Sequence, residues 1–115
     1  MKVELSRFKI KKGKEAAADE WMKLLNDRIA EAVETMGREK MYVEAVFEES
    51  INGEKYLTWF SIQDESGEMC ATSDHKLDKI HLKYWKECID EGIPADNQKL
   101  KLFLLNKESR LKKEC

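Results

Sequence analysis

Nowhere do the 115 residues approach the ~20 consecutive apolar positions of a membrane-spanning helix, so a helical span is excluded. Net charge is nearly absent as well: 21 basic residues face 23 acidic ones, leaving −2. Such a balance supplies no general field for nucleic acid or anionic lipid. The three cysteines, Cys70, Cys88 and Cys115, form an odd set without CxxC spacing, which argues against a disulfide framework and a zinc site. No GxGxxG, P-loop, HExxH, GxSxG or EF-hand loop is written in the chain, and without a Rossmann element order a dinucleotide has no obvious home. The segment MKVELSRFKIKKGK lacks the apolar core of a secretory signal, and a cytoplasmic location is expected.

What remains is the composition of a globular protein, 42% hydrophobic and 38% charged. One domain over residues 1–105 is expected, followed by a charged tail at 106–115, with ~65% of the unfolded surface buried on folding. KVELSRFKI (2–10) suits a first strand. From Lys14 to Met36 the positions Ala18, Met22, Leu25, Ile29, Ala32 or Val33, and Met36 recur at three- and four-residue steps, predicting one long amphipathic helix capped by Gly37. KMYVEAVFEES and EKYLTWFSIQ flank Ile51-Asn52-Gly53, a strong hairpin signal. After a polar loop over 64–72, Thr72 or Ser73 is expected to cap a second helix running to about Glu91, stopped by Gly92 and Pro94. KLKLFLL (99–105) reads as a last strand.

Strand, helix, strand, strand, helix, strand points to an α+β fold of the ferredoxin-like kind, a four-stranded antiparallel sheet with both helices on one face. The strands carry large apolar groups on both sides: Met41, Val43, Ala45 and Phe47 alternate with Tyr42, Glu44, Val46 and Glu48, and Tyr56, Thr58, Phe60 and Ile62 with Leu57, Trp59, Ser61 and Gln63. Helices cover only one such face, so the other is expected to be closed by a second copy, making a homodimer.

On a helical wheel of about 100° per residue, Leu77, His81, Tyr84 and Cys88 share one stripe, with Ile80 and Trp85 on its flanks and His75 pointing away among Lys and Asp residues. His81 is therefore a candidate proton-transfer group in a helix–sheet cleft. The plainer alternative is a core histidine bonded to a carbonyl or carboxylate. Tyr84 and Trp85 are candidate ligand contacts, or simply core aromatics. Glu44 sits mid-strand between valine and alanine, either lining a cavity with a raised pKa or paired with a cation. Trp59 shares the face of Ser61 and would line the same cavity. Arg7 is read as a partner of Glu44 or Glu4, or as a further ligand contact. With two histidines on opposite helix faces, no metal and no cofactor is expected.

Taken together, RFKIKKGK, EKMYVEAVFEE, YLTWFSIQ and SDHKLDKIHLKYWKECID resemble a family of small uncharacterised bacterial proteins known only as a domain of unknown function. More distantly, YWKECIDEGIPADNQ followed by a final strand resembles the C-terminal part of the L-rhamnose mutarotases. That resemblance implies a dimeric α+β barrel, in which two ferredoxin-like sheets close together, in a superfamily that also holds cofactor-free monooxygenases and stress-related proteins. The mutarotase pattern puts a proton-transferring tyrosine and histidine on the first helix, where this chain offers Trp21, Asn26 and Asp27 instead. Two functional readings stand: a cofactor-independent enzyme or binder of a small, sugar-like molecule, and a non-catalytic dimeric protein-interaction module. RNA binding shares the element order, but the third strand lacks the basic-glycine pattern of an RNA-recognition motif.

Overall fold

In the computed structural model, residues 1–65 and 75–106 are described, without the side chains of residues 38 and 39. The elements run β1 (Lys2–Lys9), α1 (Glu15–Asp27), α2 (Ile29–Glu39), β2 (Met41–Ile51), β3 (Glu54–Gln63), α3 (Lys76–Cys88) and β4 (Asp96–Asn97). The fold is α+β, with a four-stranded antiparallel sheet in the order β2-β3-β1-β4. The loop over 66–74, with Cys70, Thr72 and Ser73, and the tail from 107 to 115 lie outside the described residues. No described helix is long and apolar enough to cross a membrane.

The Asn-Gly signal marks the hairpin. Ile51 pairs with Glu54, and Asn52 and Gly53 turn the chain at φ 52° and 78°, the left-handed pair that matches the twist of the flanking strands. The long helix of the periodic pattern is instead two helices. Arg28, at φ −117°, ends α1 and begins α2. Just before the break, the Asn26 side-chain amide donates to the Met22 carbonyl at 2.8 Å, giving that carbonyl a partner outside the backbone ladder. Arg28 then clasps Glu31 with two hydrogen bonds, at 3.0 and 2.7 Å, across the first turn of α2.

Gly37 does not cap this helix. It lies inside α2, and Lys40 takes the left-handed position at φ 50°, ψ 41°. A Cβ at Gly37 would meet nothing within 4 Å, so Gly37→Ala should stabilise the protein by about 0.5–1 kcal/mol through helix propensity and a less entropic unfolded chain. Gly53→Ala, also without a steric neighbour but held at positive φ, should destabilise by about 1 kcal/mol. Urea midpoints moving in opposite directions check the pair; a shared direction contradicts this backbone assignment.

Helix α3 starts later and ends earlier than its pattern suggests. His75 is its N-cap, its ring Nδ1 accepting the Leu77 N–H at 3.1 Å, and Ile89 ends it before Gly92 is reached. The run 99–105 is not a strand. β4 is confined to Asp96 and Asn97, which pair with Arg7 and Ser6. Beyond the bond from the Gln98 N–H to the Leu5 carbonyl, residues 99–106 adopt no regular structure.

The core lies between β1 and β3 on one side and α1 and α3 on the other. Ile10, Ala18, Trp21, Leu57, Cys88 and Ile89 form its buried centre, and Phe8, Val46, Trp59, Tyr84 and Trp85 pack around it. Trp21 joins the layers: its ring lies 5.5 Å from Trp59, 5.3 Å from His81, and stacks on Tyr84 at 6.4 Å. By strand parity the other face of the sheet carries Val3, Leu5, Val43, Ala45, Phe47, Phe60 and Ile62.

Candidate functional site

The break at Arg28 has a visible result. Ile29 and Val33, which continue the apolar stripe of α1, are 59% and 56% exposed rather than packed on the sheet. Between this stripe and strand β2 lies a cleft of about 650 Å³, within the range of small-molecule sites. Its apolar arm is built from Met22, Leu25, Ile29, Val33, Met36 and Met41; its polar end from Glu44, Asp78, His81 and Trp59.

Each polar group at that end is held by the sheet or by α3. Glu44 faces Ser61 across the β2–β3 ladder, and the Trp59 indole N–H donates to Glu44 Oε1 at 3.0 Å. Burial pushes the Glu44 carboxyl above its ordinary 4.5; the Trp59 bond opposes this and the charge of Asp78 adds to it. Glu44 retains exposed surface, so its burial is enclosure by cleft walls with a path left to water. His81 accepts the Trp21 indole N–H on Nδ1 at 3.0 Å. An indole nitrogen only donates, so the proton of the neutral imidazole sits on Nε2. Burial holds His81 below its ordinary 6.5, partly offset by the negative charge of Asp78. A carboxyl drawn upward and an imidazole drawn downward on one cavity wall are brought closer in proton affinity, an arrangement suited to exchanging protons with a bound molecule.

Sequence reasoning did not single out Asp78, which is only 6% exposed, on the cleft wall, one helical turn before His81. The three-residue step from Asp78 to His81 was the available signal. At the mouth, Lys55 is held 2.9 Å from both Asp19 on α1 and Glu48 on β2, fastening helix to sheet.

The sequence candidates thus divide. His81, Glu44 and Trp59 come together on the cleft. Tyr84 and Trp85 pack in the aromatic core and do not line it; Trp85 meets Phe8 edge-on at 4.7 Å. Arg7 lies on the opposite face of the sheet. It pairs neither with Glu44 nor with Glu4, but with Asp96 at 3.0 Å and Glu49 at 3.4 Å, its guanidinium 5.1 Å from the Tyr56 ring centroid. Glu4 pairs with Lys2. Among the described residues no three His, Cys, Asp or Glu side chains converge to hold a metal.

A family model described as a family of unknown function, DUF6176, matches residues 1–111. No curated protein and no solved structure matches the chain, the rhamnose mutarotases included.

Proposed function

The chain belongs to that family of unknown function, and from the cleft we propose that it is a cofactor-independent protein that binds a small amphipathic molecule and exchanges a proton with it through Glu44 and His81. One observation carries this reading: two side chains whose proton affinities are shifted toward each other line one cavity, each fixed by an indole N–H. The long apolar arm favours an amphipathic ligand over a free sugar. The α1 residues standing where a mutarotase would need its acid and base also disfavour sugar chemistry: Trp21 is core and Asp27 is tied to Lys23.

A thermal-shift screen with monosaccharides, phenolics and medium-chain alcohols and amines tests the site. A ligand at 100 times its Kd should stabilise the protein by about 2.7 kcal/mol, on the order of 10 °C for this size. Glu44→Gln or His81→Asn should reduce that shift. Proton exchange should appear by NMR in D₂O as deuterium entering the bound molecule. Hits that stabilise wild type and both variants equally would place the ligand elsewhere.

We further propose a homodimer with ferredoxin-like protomers and the two helix-free sheet faces turned toward each other as a barrel. Support comes from the apolar residues on that face, with Leu5 and Phe47 exposed, and from the run 99–105. Leu100, Leu102 and Leu104 alternate there as in a strand, and all three are exposed. This surface equally suits a non-catalytic interaction module; loss of every cleft ligand with the dimer intact would favour that second reading.

A further inference from the structure

The cleft's charges say more about the ligand than its shape does. Among the described residues its lining includes four carboxyl groups, Asp19, Glu44, Glu48 and Asp78, and no lysine or arginine. Lys55 engages the outer two, Asp19 and Glu48. Among the described residues no cation reaches the inner two. Trp59 donates one hydrogen bond to Glu44, and among the described residues none donates to the carboxylate of Asp78, although that residue is 6% exposed and on the cavity wall. His81, which also lines the cleft, has its Nδ1 occupied by Trp21 and is disfavoured as a cation by burial.

A buried carboxylate without a counter-charge is costly and is normally paired or bonded. Asp78 stands in the first turn of α3, where the helix dipole meets part of that cost; the rest falls to whatever occupies the cleft. A phosphate or carboxylate would add a third negative charge beside two that no described cation neutralises. A metal ion lacks three converging ligands among the described residues. An organic ammonium meets both conditions, and the apolar arm accounts for the rest of such a molecule.

We infer that the cleft selects a protonated amine bearing an apolar chain, its ammonium lodged between Glu44 and Asp78 and its chain lying along Met22, Leu25, Ile29 and Met36. This rests on the cleft being the ligand site and adds the ligand's charge. Nothing covalent is involved: the ammonium donates to the two carboxylates, while the chain displaces water from the α2 stripe.

Isothermal titration of the full chain at pH 7 with hexylamine, hexan-1-ol and hexanoate separates charge from chain length. Hexylamine should bind at least tenfold tighter than hexan-1-ol, and hexanoate weakest. Glu44→Gln and Asp78→Asn, each checked for native circular dichroism and melting, should each cost the amine about tenfold and the alcohol severalfold less. Should Asp78→Asn fail to fold, Glu44→Gln and the ligand series still decide. Alcohol or hexanoate binding as tightly as the amine overturns the inference while leaving the cleft as a binding site. So does amine affinity unchanged in Glu44→Gln. Silence from all three, together with an empty screen, ends both readings.

Discussion

Trp21→Ala should leave a chain that barely folds. The indole has no accessible surface and contacts Trp59, His81, Tyr84 and Trp85, so truncation removes contacts between α1, α3 and the sheet at once. Large aromatic-to-alanine changes in cores cost about 3–5 kcal/mol, a large share of the roughly 5–15 kcal/mol that holds a domain. Melting should fall by roughly 12–20 °C. A fall of only a few degrees would mean that Trp21 is not the hub of this core.

Trp21→Phe separates packing from the hydrogen bond. It keeps most of the apolar volume and removes the N–H that occupies His81 Nδ1, so the imidazole should become easier to protonate. The expected result is a His81 NMR titration moved upward toward 6.5. In wild type the lowered pKa means that the unfolded state binds more protons than the folded one below about 6.5. The contribution of His81 is therefore present above 6.5 and is lost as pH falls through the lowered folded value. Glu44 runs the other way: with its pKa raised above 4.5, its contribution is present below 4.5 and lost as pH rises through the folded value. Trp21→Phe should flatten the acid-side loss due to His81 and leave the Glu44 limb in place. An unmoved His81 titration would count against the indole bond as a determinant of its protonation.

The second large effect concerns assembly. Leu102 and Leu104 are 73% and 80% exposed, so Leu102→Glu with Leu104→Glu should change protomer stability little. If a second copy covers them, each lost side chain removes about 1.5–3 kcal/mol of burial. Dimer affinity should then fall about 100-fold or more, at 1.4 kcal/mol per tenfold. Sedimentation velocity of wild type and the double variant over a concentration series reads this directly. A wild-type monomer at tens of micromolar, or an unchanged dissociation constant in the variant, would refute the paired sheets.

The differences between sequence and structure have physical reasons at particular residues. Periodicity found the apolar stripe from Ala18 to Met36 but not the break, because Arg28 carries no glycine or proline and nothing in the spacing registers the bond from Asn26 to Met22. That break sets the α2 wall of the cleft, so the stripe and a helix–sheet cleft at His81 were legible while the wall contributed by α2 was not. His81, Glu44 and Trp59 were legible because each is a polar or aromatic group at a position whose neighbours are apolar. Asp78 was not, since an acid in the first turn of a helix has a sufficient explanation in the dipole alone. Arg7 met Asp96, a partner delivered by the short β4. The run 99–105 has strand chemistry, but a strand also needs a neighbour with free N–H and C=O groups, and alternation within one chain cannot supply it.

Cys88 sits at the end of α3 with no accessible surface, and burial pushes its thiol up, away from the reactive thiolate. A maleimide can reach it only when α3 separates from the layer beneath. In a chain whose other two cysteines are replaced by serine, the rate of alkylation becomes a clock for that opening. Because His81 and Asp78 ride on the same helix, a tightly held guest in the cavity should slow the clock.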